Sequence, residues 1–252
     1  MSIIIDDKEQ ETFINKLKNL PKKVKLEGWG NKRVSEYRRI EYITFAGKKF
    51  DENELTDFII VLENRYRLAF YCLEEMSKEC ETIIDNETKI NELKNKAQSN
   101  LLNPEFVIKA EYFVYSLNSA LDAMSFFIKH IYNLKINNTS IGKVYHGNKS
   151  KRDGIKYKRD SFSRYFLKEW KNWIKVFRDI RNRMTHHQII RFSSHLSHQS
   201  PARQVIYTKH CISVIDENGD EILKPLPKYF EEVIKNYYRF RSKFYEKLNS
   251  AI

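Results

Sequence analysis

Eleven residues, FRDIRNRMTHH at positions 177–187, gather three arginines, an asparagine and two histidines. Cutting RNA without a metal needs groups of these types. The ribose 2′-OH must lose a proton, and the 5′-oxygen leaving group must gain one. An imidazole titrating near neutral pH can move either proton, a contribution of roughly 10²–10⁴-fold in rate. The phosphorane formed between the two steps carries extra negative charge, which a planar guanidinium fork can take up. Arg181 and His186 are the minimal pair for this chemistry, and Asn182 can orient the imidazole or the phosphate. Arg178, Arg183 and His187 are further candidates for holding phosphate.

The spacing sets a geometric condition. Residues five apart on an ideal helix differ by roughly 140° in direction, so Arg181 and His186 share no narrow face. Asn182 and His186, four apart, do share one. Three arrangements would satisfy the chemistry. The long arginine side chain reaches around, the helix loosens near Thr185, or a second copy of the chain completes the site. The same cations also suit the negative end of a helix dipole with no catalytic role at all.

Arg181-Asn182-x-x-x-His186 resembles the R-(polar)-x-x-x-H signature of HEPN domains, over about residues 105–190. That resemblance implies an up-and-down helical bundle with the motif on a late helix. It implies Arg181 and His186 as catalytic residues and Asn182 as their polar companion. Many HEPN proteins are ribonucleases of toxin–antitoxin or phage-defence systems, and they pair so that two motifs face one cleft. The resemblance therefore points to an endoribonuclease acting as a homodimer on RNA, leaving 2′,3′-cyclic phosphate ends, without metal or cofactor. An antitoxin, or a nucleotidyltransferase-like partner, would silence it. The alternative is a HEPN-like module that binds RNA, a nucleotide or a protein without cutting.

The elements that would position this motif are long and helical. Apolar residues recur at three- and four-residue steps in three stretches, as one face of a helix requires. They are Leu55 to Met76, Phe106 to Ile131 and Phe162 to Met184. Asn103-Pro104 is a good helix start, and Pro225 and Pro227 open a last helix with Phe230, Val233, Tyr237, Phe244 and Leu248 inward. A short first helix over residues 6–20 precedes a basic, irregular segment at 21–53, with a strand pair expected around Arg39–Phe50. Residues 203–224 alternate as a strand does, with Asn218-Gly219 as a hairpin turn. The expected fold is all-α: one domain over residues 1–252, an antiparallel bundle from 54–190 and 226–250 with a small β-hairpin insertion before the last helix.

Residues 137–160 read as a long basic loop. Seven Lys and Arg lie between Lys143 and Arg159, interleaved with Tyr145 and Tyr157. Bases can stack on such rings while Lys149, Lys151 and Arg152 hold phosphates; solvated charge explains the run equally well. Residues 192–203 read as a polar loop, in which His195-x-x-His198 has a metal-like spacing but no companion cysteines or carboxylates. Trp170, Trp173 and Phe177 keep the helical period and are read as core. Asp122 and Asp179 are read as surface charges that can orient an arginine or histidine.

Composition narrows the classes further. The 252 residues carry 45 Lys and Arg against 33 Asp and Glu, a net +12 that suits a polyanionic partner. Seven Gly and five Pro are too few for a barrel or sandwich. Cys72, Cys80 and Cys211 form no C-x-x-C, which fits a reduced, cytoplasmic chain. No apolar run approaches the ~20 residues that span a bilayer, so no membrane role is expected. There is no phosphate-cradling G-x-x-x-x-G-K, no G-x-G-x-x-G and no nucleophile elbow, so NTPase, dehydrogenase and serine hydrolase readings have no support.

Overall fold

The computed structural model describes residues 8–20, 23–29, 36–80, 104–137, 139–148, 152–185, 192–199, 205–216 and 219–251. Its helices are α1 (Lys8–Lys18), α2 (Glu52–Cys80), α3 (Pro104–Ile131), α4 (Ile141–His146), α5 (Ser161–Glu169), α6 (Lys175–Thr185) and α7 (Lys228–Asn249). A π-helical turn, Trp170–Ile174, joins α5 to α6 without a break. The described residues are mostly helical, broadly all-α, with two small antiparallel sheets. Among them, no helix is long and apolar enough to cross a membrane.

Two compact units divide the chain. The first comprises Met1–Glu63, Leu121–Leu167 and Arg239–Ile252; the second comprises Asn64–Ala120 and Lys168–Tyr238. In the first unit, β1 (Lys23–Trp29), β2 (Glu36–Phe45) and β3 (Lys48–Phe50) form a sheet in sequence order. The segment expected to be irregular is thus a meander, and the expected strand pair is its second half, with Ile43 opposite Phe50. The β2–β3 turn uses left-handed Ala46 and Gly47, as a tight hairpin requires. Phe13 of α1 meets Phe45 and Phe127 edge-on at 6.2 and 6.1 Å. Within this apolar core, Arg241 donates to both carboxylate oxygens of Glu63, and the Tyr245 hydroxyl also donates to Glu63 at 2.6 Å.

The second unit has its own core. Phe113 stacks on Phe230 at 4.1 Å and meets Phe177 edge-on at 6.0 Å. Tyr66 and Tyr237 stack at 5.1 Å. Trp170, Trp173 and Phe177 are buried, as their period predicts. The π turn sets the Trp173 indole to donate to the buried Glu169 carboxylate at 2.8 Å. Here β4 (Phe192–Gln199), β5 (Val205–Ile215) and β6 (Glu221–Pro225) form the other sheet.

Two expectations need correcting. The polar stretch after α6 is a strand, not a loop: β4 pairs with β5 from Phe192↔Ile212 to Gln199↔Val205. The β segment is therefore three-stranded and starts before residue 203. Gly219 makes the β5–β6 turn at φ +90; Asn218 lies outside the described residues. The 137–160 stretch is likewise more than a basic loop. Ser140 caps α4 by accepting the Lys143 N–H, and Ile141, Val144 and Ile155 are buried. The Ile155–Tyr157 stretch adds a 3₁₀ turn. Three small anchors suffice to fold it, too few to register against seven cations in the sequence.

Candidate functional site

Helix α6 carries most of the predicted motif within the second unit. Phe177 and Ile180 face the core, and this fixes the rotation of the helix. Arg178, Arg181, Asn182 and Arg183 are half-buried around its remaining surface. Thr185 is the last described helical residue, and its hydroxyl donates back to the Arg181 carbonyl at 2.9 Å. Such back-bonding tends to bend a helix. His186 and His187 lie outside the described residues, as do Lys149 and Lys151. Of the Arg181 and His186 pair, only Arg181 is therefore among the described residues.

The three arginines have different surroundings. Arg183 donates to the Ser213 carbonyl at 3.4 Å, to the Ser213 hydroxyl at 3.3 Å and to Glu221 at 3.3 Å. Its side chain is only 13% exposed. It thereby fastens the end of α6 to β5 and β6, and the donors a phosphate would need are engaged. Arg178 and Arg181 make no ion pair among the described residues. Arg178 and Asn182 sit four apart, on one face.

The acids near the motif also differ from their sequence reading. Asp179 is half-buried, and burial pushes its carboxyl up against the opposing pull of Lys175 and Arg178. Asp122 belongs to the first unit, where it accepts the Ile141 N–H at 2.8 Å and so steadies the start of α4. Arg152 also belongs to the first unit; it is exposed, with φ +48.

Among the described residues, no group of three or more His, Cys, Asp or Glu is placed to hold a metal ion. His195 and His198 fall on β4. Cys72 and Cys211 are free and buried, and burial raises the Cys72 thiol.

Some polar groupings had no sequence signal. The Glu63–Arg241–Tyr245 cluster and the Asp160–Tyr132–Lys247 cluster each join residues far apart in the chain. In the second, burial alone would raise the Asp160 carboxyl. Hydrogen bonds from Tyr132, from Ser163 and from Lys247 outweigh burial and hold it at about 2. Comparison of the chain with family models, with curated proteins and with solved structures returns no match.

Proposed function

We propose that the chain is a metal-independent endoribonuclease of the HEPN type, with a helical-bundle fold and its site at the end of α6. His186 moves the proton, Arg181 takes up the developing phosphorane charge, and Asn182 orients one or the other. Two copies would bring two motifs to one cleft, which also answers the angular mismatch between Arg181 and His186. The setting is cytoplasmic, with an antitoxin or a nucleotidyltransferase-like partner to silence the activity.

The observation that carries this reading is the contrast among the arginines. Arg183 is consumed by Glu221 and Ser213. Arg178 and Arg181 are both half-buried with no carboxylate partner among the described residues, and Arg181 holds the motif position. A guanidinium held by a rigid helix without an internal counter-ion suits an anion from outside. The net charge of +12 is in keeping with a nucleic-acid substrate.

The test is incubation of purified protein with total RNA in excess EDTA, beside Arg181→Ala and His186→Ala. Cleavage that persists in EDTA, disappears in both variants and leaves 2′,3′-cyclic phosphate ends supports the proposal. Cleavage that needs a divalent metal, or that survives His186→Ala, overturns it. Binding by the native chain without cleavage replaces it with the non-catalytic HEPN-like module.

A further inference from the structure

The stretch between α3 and α5, in the first unit, carries chemistry that the cleavage reading does not use. Lys143, Arg152, Lys156, Lys158 and Arg159 lie close together along it. None of them makes an ion pair among the described residues. Asp153 accepts the Asn148 N–H with one oxygen, and Asp160 accepts from Tyr132, Ser163 and Lys247 at 2.6–2.9 Å. Those five cations face only these two carboxylates, and Asp160 is already paired with Lys247, so the stretch keeps a net positive charge.

A solvated charge run has no fixed scaffold, and this one has. Ile141, Val144 and Ile155 are buried beneath it. Gly147 and Gly154 press backbone against backbone, so closely that a Cβ on Gly147 would fall 2.0 Å from the Gly154 nitrogen. Aromatic rings stand among the cations. The Lys156 ammonium lies 5.0 Å from the Tyr157 ring centre and 5.9 Å from that of Tyr145. Tyr145 in turn packs nearly parallel to Phe166, at 6.4 Å. Tyr157 remains 39% exposed.

We propose that this stretch binds single-stranded nucleic acid. An unpaired base stacks on Tyr157, and backbone phosphates engage Lys143, Arg152, Lys158 and Arg159. An exposed ring with cations along the same stretch suits a single strand, and bases inside a duplex have no free face to offer it. An anionic membrane would attract the same cations. It would also draw apolar side chains into the acyl layer, and here Ile141, Val144 and Ile155 all point to the core. The proposal does not depend on cleavage at Arg181.

The test uses the full-length chain and a fluorescent 2′-O-methyl oligouridine, which cannot be cleaved by 2′-OH attack. Its affinity is followed by anisotropy across a NaCl series. Tyr157→Ala should weaken binding about 5- to 100-fold, with Tyr157→Phe near native. Neutralising Lys143, Arg152, Lys158 and Arg159 to Gln should lower the salt slope by as much as about 3, since each lost single-strand phosphate contact removes ~0.7. Arg181→Ala should bind within about twofold of native, which separates this site from the cleavage reading. Circular dichroism checks the fold of each variant. Crosslinking of the native chain with a 4-thiouridine oligonucleotide gives a reading that needs no substitution, expected to mark the peptide containing Tyr157. The proposal is overturned by any of four results: Tyr157→Ala and the quadruple variant binding like the native chain, duplex bound as tightly as single strand, anionic vesicles that the oligonucleotide does not displace, or crosslinks confined to other peptides.

Discussion

Arg183 offers the sharpest division between a residue that builds the site and one that works in it. Replacing it with Gln removes the guanidinium contacts to the Ser213 carbonyl, the Ser213 hydroxyl and Glu221, at 3.3–3.4 Å. A well-formed hydrogen bond to a charged group contributes about 1.5–3 kcal/mol. These three are at the long end of the range, and Glu221 is 43% exposed, so solvent screens the pair. The set is then worth about 1–2 kcal/mol. The Ser213–Glu221 hydrogen bond survives the substitution, so the Ser213 hydroxyl and Glu221 keep a partner. In a chain of this size the loss corresponds to a melting-temperature drop of roughly 3–6 °C. Urea unfolding of the native chain, Arg183→Gln, Glu221→Gln and the double variant isolates the pair, with an expected coupling of about 0.5–1 kcal/mol. The same four proteins are then titrated with the uncleavable oligonucleotide, whose salt slope should not change. If Arg183→Gln unfolds at the native urea midpoint while the slope falls by about 0.7, Arg183 grips phosphate and the clamp is wrong.

Three further outcomes follow from the described geometry. Glu63→Gln should cost about 3–5 kcal/mol in urea unfolding because it strands the 2%-exposed Arg241, whereas Glu63→Leu with Arg241→Met should recover most of that loss; a single variant of native stability would refute the buried pair. His130 packs against Phe50 and Phe126, and burial, with Lys48 and Lys129 nearby, lowers its imidazole to about 4. The unfolded chain takes up this proton first, so the stability is complete above about pH 6.5 and is lost between about 6.5 and 4. The loss is at most ~3 kcal/mol, reduced to roughly 1–2 for a ring that is only half-buried; His130→Phe should flatten that part of the urea-midpoint profile, and an unchanged profile would exclude His130 as its source. Gly147→Ala combines a φ of +62 with a Cβ driven into the Gly154 backbone. It should expose the 141–160 stretch to limited proteolysis and lower the melting temperature by several degrees, while native protease resistance would show that the contact can relax.

Much of the helical framework was legible because burial leaves a periodic mark. Leu55, Leu62, Tyr66, Ala69, Leu73 and Met76 are all buried on α2, and Phe230, Val233, Tyr237, Phe244 and Leu248 on α7. Strands fared worse where their residues were polar. β4 is rich in Ser and His and shows no apolar alternation, so it is defined by its ladder with β5 and not by its own sequence. The fold of residues 141–148 and 152–157 was hidden for a different reason. Its order rests on three apolar anchors, one cap and a glycine–glycine backbone contact, none of which has a period.

The site was legible to the extent that its chemistry is local. Arg178, Arg181, Asn182 and Arg183 could be placed on one helix from spacing alone, and spacing set Arg181 apart, but it gave no sign of how each guanidinium is partnered. What distinguishes them is which carboxylate lies within reach, and Glu221 is 38 positions away from Arg183 in sequence. That single nonlocal contact fastens the helix end through Arg183, whereas Arg178 and Arg181 make no ion pair among the described residues. The same logic orders the cations in and around the 141–160 stretch. Lys247 is taken by Asp160 and Lys156 rests against the Tyr157 ring, whereas Lys143, Arg152, Lys158 and Arg159 make no ion pair among the described residues. Among the described residues, the positions of a few carboxylates decide which cations close the fold on itself and which make no ion pair.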